Sequence, residues 1–246
     1  MSVHHQLHQG QKQGKKSLAI LIDPDKVQLK SSLLSLVEKI NASSIDYILV
    51  GGSLLMHDHT KELIDVLKSN TPKPVILFPG SPTQISGNAD ALLFLSVISG
   101  RNPELLIGQQ VVAAPIIKQL KLETISTGYM LIDCGKSTSA SYMSNTTPIP
   151  HNKPEIATAT AMAGEMLGLQ CIYMDGGSGA DQPISTEMIS SVRKNISLPL
   201  IIGGGISSKK NLDLAFEAGA DVVVIGTAFE SNPELIQQLS IAKVNG

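Results

Sequence analysis

The sequence predicts a single α/β domain folded as a (βα)8 barrel of the TIM type, on three observations. Eight apolar runs of strand length recur along the 246 residues with helical patterns between them, which marks repeated βαβ units and a parallel sheet. The runs are near-continuous Val, Ile and Leu rather than alternating, so both faces of each strand are buried. Three glycine-bearing stretches, 173–180 (YMDGGSGA), 201–206 (IIGGGI) and 222–227 (VVVIGT), fall at the last three runs, with Gly177, Gly204 and Gly226 spaced 27 and 22 residues apart, about one βα unit each.

In chain order the strands are expected at 18–23 (LAILID), 47–51 (YILVG), 74–78 (PVILF), 91–97 (ALLFLSV), 128–133 (GYMLID), 171–175 (CIYMD), 200–203 (LIIG) and 222–226 (VVVIG). Helices are expected at 29–40, 58–67, 103–120, 154–167, 185–192, 209–217 and 233–243. Asn102-Pro103 and Asn232-Pro233 each place an N-cap residue before a proline at the first helical position. Residues 79–90 are too short and too rich in Gly and Pro for a normal helix, so an irregular element follows the third strand. A long polar loop, 133–153 (DCGKSTSASYMSNTTPIPHNK), leaves the fifth strand, and loops of that length in compact domains often carry function. An open doubly wound sheet is the alternative, but a dinucleotide site would need GxGxxG after the first strand, which here ends in DPDK.

Composition limits the possible functions. With 42% hydrophobic and 16% charged residues the chain is globular, and a net charge of −2 offers no footprint for nucleic acid, Lys12, Lys15 and Lys16 being too few. Residues 1–16 read as a polar, mobile leader without the apolar core of a secretory signal, and no later run approaches a membrane span, so a cytoplasmic location is expected. The leader's His4, His5 and His8 are assigned no function. Cys134 and Cys171 lie on separate elements and fit neither a metal spacing nor a disulfide framework, so both are expected as buried fillers.

The chemistry is expected at the C-terminal ends of the strands. Loops after the seventh and eighth strands of such barrels recurrently bind phosphate through free backbone N–H groups, with glycine allowing close approach. Asp23 and Asp25 end the first strand in LIDPDK, where a carboxylate can hold a hard cation that shares its oxygens with substrate phosphates; Asp25 is the better candidate for a helix cap. Ser53, in LVGGS after the second strand, lies on the neighbouring rim. Asp175 ends the sixth strand between the two anion sites, where it either orients or deprotonates a hydroxyl, or caps the following turn. Two anion sites across one mouth suit a reaction between two phosphorylated substrates.

LIDPDK at 21–26, LVGGS at 49–53, YMDGGSGA at 173–180, GGGI at 203–206 and VIGT at 224–227 together resemble the geranylgeranylglyceryl phosphate synthase family, in order and spacing, over nearly the whole chain after the leader. The resemblance implies a Mg2+-dependent prenyltransferase that joins sn-glycerol 1-phosphate to an all-trans polyprenyl diphosphate, with geranylgeranyl diphosphate the expected donor. It carries the Mg2+ ligands onto Asp23 and Ser53, and catalytic roles onto Asp23 and Asp175. The glycerol phosphate site maps onto Tyr173, Met174, Asp175, Gly176, Gly177, Ser178, Gly179, Gly204, Gly205, Gly226 and Thr227. Some members have Glu at the position of Asp175 and Lys at that of Leu21, and the long fifth loop is similar to that of the larger-sized branch. Lys26 is either a diphosphate contact or a solvated lysine. Candidates for an apolar prenyl groove are Leu54, Leu55 and Met56, residues 78–82, and Val97 with Ile98. Family barrels are commonly homo-oligomers, a dimer being the default, although the 3% of aromatic residues marks no interface. Two alternatives stay open: another phosphate-binding barrel enzyme, an isomerase or aldolase, and a non-catalytic phosphometabolite-binding barrel.

Overall fold

A computed structural model describes residues 1–27 and 31–226 of the chain. Eight parallel strands, β1 Ser17–Ile22, β2 Ile45–Val50, β3 Val75–Leu77, β4 Ala91–Val97, β5 Thr124–Leu131, β6 Cys171–Asp175, β7 Leu200–Gly203 and β8 Val222–Ile225, pair in sequence order and close when β8 meets β1. The helices between them are α2 Ser31–Asn41, α3 Thr60–Asn70, α4 Gln109–Leu120, α6 Pro154–Met166, α7 Thr186–Asn195 and α8 Lys209–Glu217. The expected barrel is the observed one, while the last expected helix, 233–243, lies outside the described residues.

Strand pleating splits the apolar runs into two cores. Leu18, Ile20 and Ile22 of β1, with Val223 and Ile225 of β8, point outward against the helices. Ala19, with Tyr47, Leu49, Ile125, Tyr173, Ile201, Val222 and Val224, fills the barrel interior. Each strand supplies both layers, which is why its sequence shows no polar alternation.

Four features depart from the sequence expectation. The segment read as a mobile leader is helix α1, Val3–Lys12, lying across the N-terminal end of the barrel. Its apolar residues are few but one turn apart: Val3 and Leu7 enter the interior core, Ser2 caps His5, and the Glu123 carboxylate accepts the Val3 and His4 amides at 3.0 and 2.8 Å. Strand β5 begins at Thr124 rather than at residue 128, its polar start tolerated because the buried Thr127 hydroxyl donates to the Ile125 carbonyl at 2.7 Å. The helix expected over 103–120 opens as a π turn, Glu104–Gly108. There the Leu106 carbonyl accepts from Ser96 Oγ at 2.9 Å and that of Leu105 from Gln110 Nε2 at 3.1 Å, so side chains serve groups that a regular helix would pair internally. Finally, the long fifth loop contains α5, Ser139–Ser144, opened by a Thr138/Ser141 capping box. The irregular element after β3 is a single 3-10 turn, Pro82–Gln84.

Candidate active site

The C-terminal ends of the strands surround an open cavity of about 1030 Å³. On its β6–β8 side the wall is backbone. Gly177, Gly179, Gly204 and Gly205 have φ of 86, 67, 78 and 71°, the left-handed region that glycine enters without penalty. The loops interlock as well: a side-chain carbon on Gly204 would stand 2.5 Å from the Gly177 nitrogen, and one on Gly205 2.8 Å from the Gln182 carbonyl oxygen. Consecutive amides in such turns form a concave anion nest. Ser178 and Gly226 complete this wall, and Thr227 lies outside the described residues.

Opposite, on the β1–β3 side, side chains form the surface. Asp23 Oδ1 accepts the Asp25 amide at 3.0 Å, and its Oδ2 stands 3.6 Å from Lys26 Nζ. Whether Asp25 also caps the next helix lies outside the described residues, because residues 28–30 are not among them. Its carboxylate takes the amides of Met56 and His57, at 2.6 and 2.9 Å, and these bonds hold its carboxyl below the usual range. Asp25 therefore ties the β1 loop to the β2 loop, and Asp23 lines the cavity beside it. The buried Gln84 fastens the same region: its Nε2 donates to the Gly52 carbonyl at 3.0 Å and its Oε1 accepts the Gly80 amide at 3.0 Å. Ser53 follows Gly52 into the cavity wall.

Asp175 stands between the two sides. Its Oδ1 accepts the Gly177 amide at 2.7 Å and its Oδ2 accepts the Tyr129 hydroxyl. Burial raises its carboxyl above the usual range, and the Tyr129 and Gly177 hydrogen bonds offset part of the rise. Burial first, and then the Asp175 charge, hold the Tyr129 hydroxyl well above its ordinary value, so it stays a donor. Tyr129 was not among the residues expected from sequence. It sits in register with Tyr173 across β5 and β6, at ring centroids 5.5 Å apart, and Phe78 stacks on Tyr173 at 4.9 Å with 16° between the planes.

The geometry brings together Asp23, Ser53, Tyr173, Asp175, Gly177, Ser178, Gly179, Gly204, Gly205 and Gly226. It places two further expected residues outside the cavity wall. Met174 alternates with Tyr173 and so points into the outer core, while a side chain on Gly176 would meet Cys134 Sγ at 2.9 Å, so that glycine serves packing. Among the groove candidates, Leu54, Leu55, residues 78–82 and Val97 line the cavity; Met56 faces solvent and Ile98 packs in the outer layer. Leu93, Leu95, Leu105, Ile117 and Met143 extend its apolar part.

A (βα)8 barrel with an amide-lined anion nest, a carboxylate rim and an apolar cavity defines a phosphate-handling barrel enzyme. The chain belongs to the PcrB family, whose model matches residues 12–244. It is 53% identical to the geranylgeranylglyceryl phosphate synthase of Chitinophaga pinensis over 93% of this chain and 90% of that one. Among solved structures it superposes with TM-score 0.90 and 29% identity on (S)-3-O-geranylgeranylglyceryl phosphate synthase from Thermoplasma acidophilum in complex with its substrate sn-glycerol-1-phosphate, covering 97% of this chain and 96% of that one. The corresponding enzyme of Thermoplasma volcanium matches with TM-score 0.87 and 31% identity, covering 97% of this chain and 95% of that one.

Proposed function

We infer that the chain transfers a polyprenyl group from its diphosphate to the 3-hydroxyl of sn-glycerol 1-phosphate, with geranylgeranyl diphosphate as the expected donor. The observation that carries this is one cavity holding an amide nest and a carboxylate rim on opposite sides, with Asp175 between them and an apolar wall beneath. The glycine loops bind the glycerol phosphate as an anion, and the apolar wall takes the prenyl chain. Asp175, held by Tyr129 and Gly177, aligns the acceptor hydroxyl and takes its proton as the oxygen bonds to the allylic carbon and the carbon–oxygen bond to diphosphate breaks, the electron pair leaving with diphosphate. The aromatic faces of Phe78, Tyr129 and Tyr173 offer electron density to the carbon as it becomes cationic. Holding both substrates in one mouth converts a bimolecular reaction into a local one.

The donor set supports Mg2+. Asp25 is occupied by two amides, so the proposal takes Asp23 and Ser53 as the protein ligands, and among the described residues no group of three or more His, Cys, Asp and Glu could hold a metal. So sparse a set fits an ion that keeps most of its waters and shares substrate phosphate oxygens. When bound, Mg2+ would neutralise charge on the departing diphosphate. A Schiff-base aldolase gains no support, since no lysine ends any described strand. No helix among the described residues is long and apolar enough to cross a membrane. A homo-oligomer is part of the proposal, supported by the exposed Ile107, Val111, Val112, Ile116 and Leu120 along α4 and the π turn, a patch that aromatic content does not reveal.

Incubation with radiolabelled sn-glycerol 1-phosphate and polyprenyl diphosphates of several lengths, with and without chelator, tests both parts. Organic-extractable product that disappears with chelator is the expected result. No product at any length rejects the transferase, and undiminished product with chelator rejects the metal.

A further inference from the structure

Among the described residues walling the cavity, the only Lys or Arg is Lys26, and it stands on the β1 side, 3.6 Å from Asp23. The amide-lined side instead has two carboxyls in its wall, Asp175 and Asp181. A phosphate there meets amide dipoles and two acidic side chains, but no cation within the wall. Lys136 brings a cation to the rim. A side-chain carbon on Gly179 would lie 3.4 Å from Lys136 Nζ, so the ammonium is already against the last glycine of the nest.

The loop carrying Lys136 is fixed on both sides of it. Two residues before, the Cys134 carbonyl accepts the Asp181 and Gln182 amides at 3.1 and 3.4 Å. Two residues after, Thr138 presses its methyl group where a side chain on Gly177 would be, only 2.2 Å from that position, and its capping box starts α5. The β5 loop is thus clasped to the β6 loop at both ends, and the span between can place an ammonium over Gly177–Gly179 without ordering a free loop. Preorganisation of this kind lowers the entropic cost of binding.

We propose that Lys136 is a phosphate-binding residue of the acceptor site: its ammonium closes onto a phosphate seated against the Gly177–Gly179 turn, and so sets the affinity for a phosphorylated acceptor. The proposal rests on the assignment of glycerol phosphate to this side of the cavity. Lys136 is exposed, so its contribution is an ion-paired hydrogen bond screened by salt.

Calorimetric titration of sn-glycerol 1-phosphate into the wild type, Lys136→Met and Lys136→Arg, at low and high salt, tests it, with inorganic phosphate as a second probe. Expected are a roughly tenfold weaker Kd for both probes in Lys136→Met, recovery to within about threefold in Lys136→Arg, and a smaller salt dependence in the Met variant. The KM for the prenyl diphosphate stays unchanged. Wild-type binding that Lys136→Met leaves intact, in Kd and in salt dependence, overturns the role of Lys136 alone, and so does an Arg variant as weak as the Met variant. A wild type that binds no glycerol phosphate overturns the acceptor assignment together with it.

Discussion

The two sides of the barrel mouth are built by opposite means. On the β6–β8 side the ligand-facing surface is main chain, and its shape depends on the absence of side chains: Gly204 and Gly177 sit so close that one added carbon would strike a backbone nitrogen. On the β1–β3 side the surface is side chain, with Asp23 and Ser53 in front and Asp25 and Gln84 tying the loops from behind. The difference suits the two anions. In the proposed reaction, a small phosphate that must be held in one orientation would be matched by fixed amides, and a leaving diphosphate, whose charge changes as the bond breaks, by groups that can share a hydrated cation.

Substitutions can break this comparison at different points. Asp175→Asn, at the junction, lowers kcat by about 10²–10⁴-fold while glycerol phosphate still binds, as a single-turnover assay beside a binding titration would measure. Because burial raises the Asp175 pKa above its value in the unfolded chain, the native state holds that proton more tightly. Its contribution to stability is thus greatest below the unfolded value and falls as pH rises through the folded one. Asn at 175 therefore leaves stability at neutral pH equal or higher, which denaturant melts check. In the wild type, activity that needs the carboxylate falls, as pH drops, at a pH above the ordinary carboxylate range.

Gly204→Ala comes next: a carbon 2.5 Å from Gly177 N at φ +78° displaces the nest, lowering kcat/KM by on the order of 100-fold, mainly through KM for the acceptor. Tyr129→Phe removes one charge-assisted hydrogen bond, lowering kcat by about tenfold, and moves the acid limb further upward, since the lost bond had favoured the carboxylate. Leu7→Ala, at the far end of the barrel, leaves both sides of the mouth untouched. It costs about 2–5 kcal/mol of stability in a thermal melt with unchanged KM values.

Sequence alone carries the barrel because apolar strand runs such as 91–97, 171–175 and 200–203 feed both the inner and the outer core, and these bounds coincide with β4, β6 and β7. Asp23, Ser53 and the nest glycines are legible for a related reason: each stands at a strand end, where position in a barrel implies function. Tyr129 is not legible, because an aromatic inside an apolar strand looks like core until its register with Tyr173 and its bond to Asp175 are known. Met174 turns away from the cavity for the converse reason: a motif names consecutive residues, while a strand turns alternate ones away. Helix α1 is hidden by its polar composition, although Ser2, Val3 and Leu7 carry a cap and a one-turn apolar spacing. Lys136 is hidden by the loop around it, since only the fold brings a residue two positions past Cys134 onto Gly179.

Asp23→Asn, with parallel measurement of turnover and of glycerol phosphate binding, decides whether the mouth holds two separable anion sites. Turnover is lost with the glycerol phosphate Kd unchanged within about twofold, since Asp23 lies across the cavity from the nest. Loss of binding together with turnover would contradict that separation.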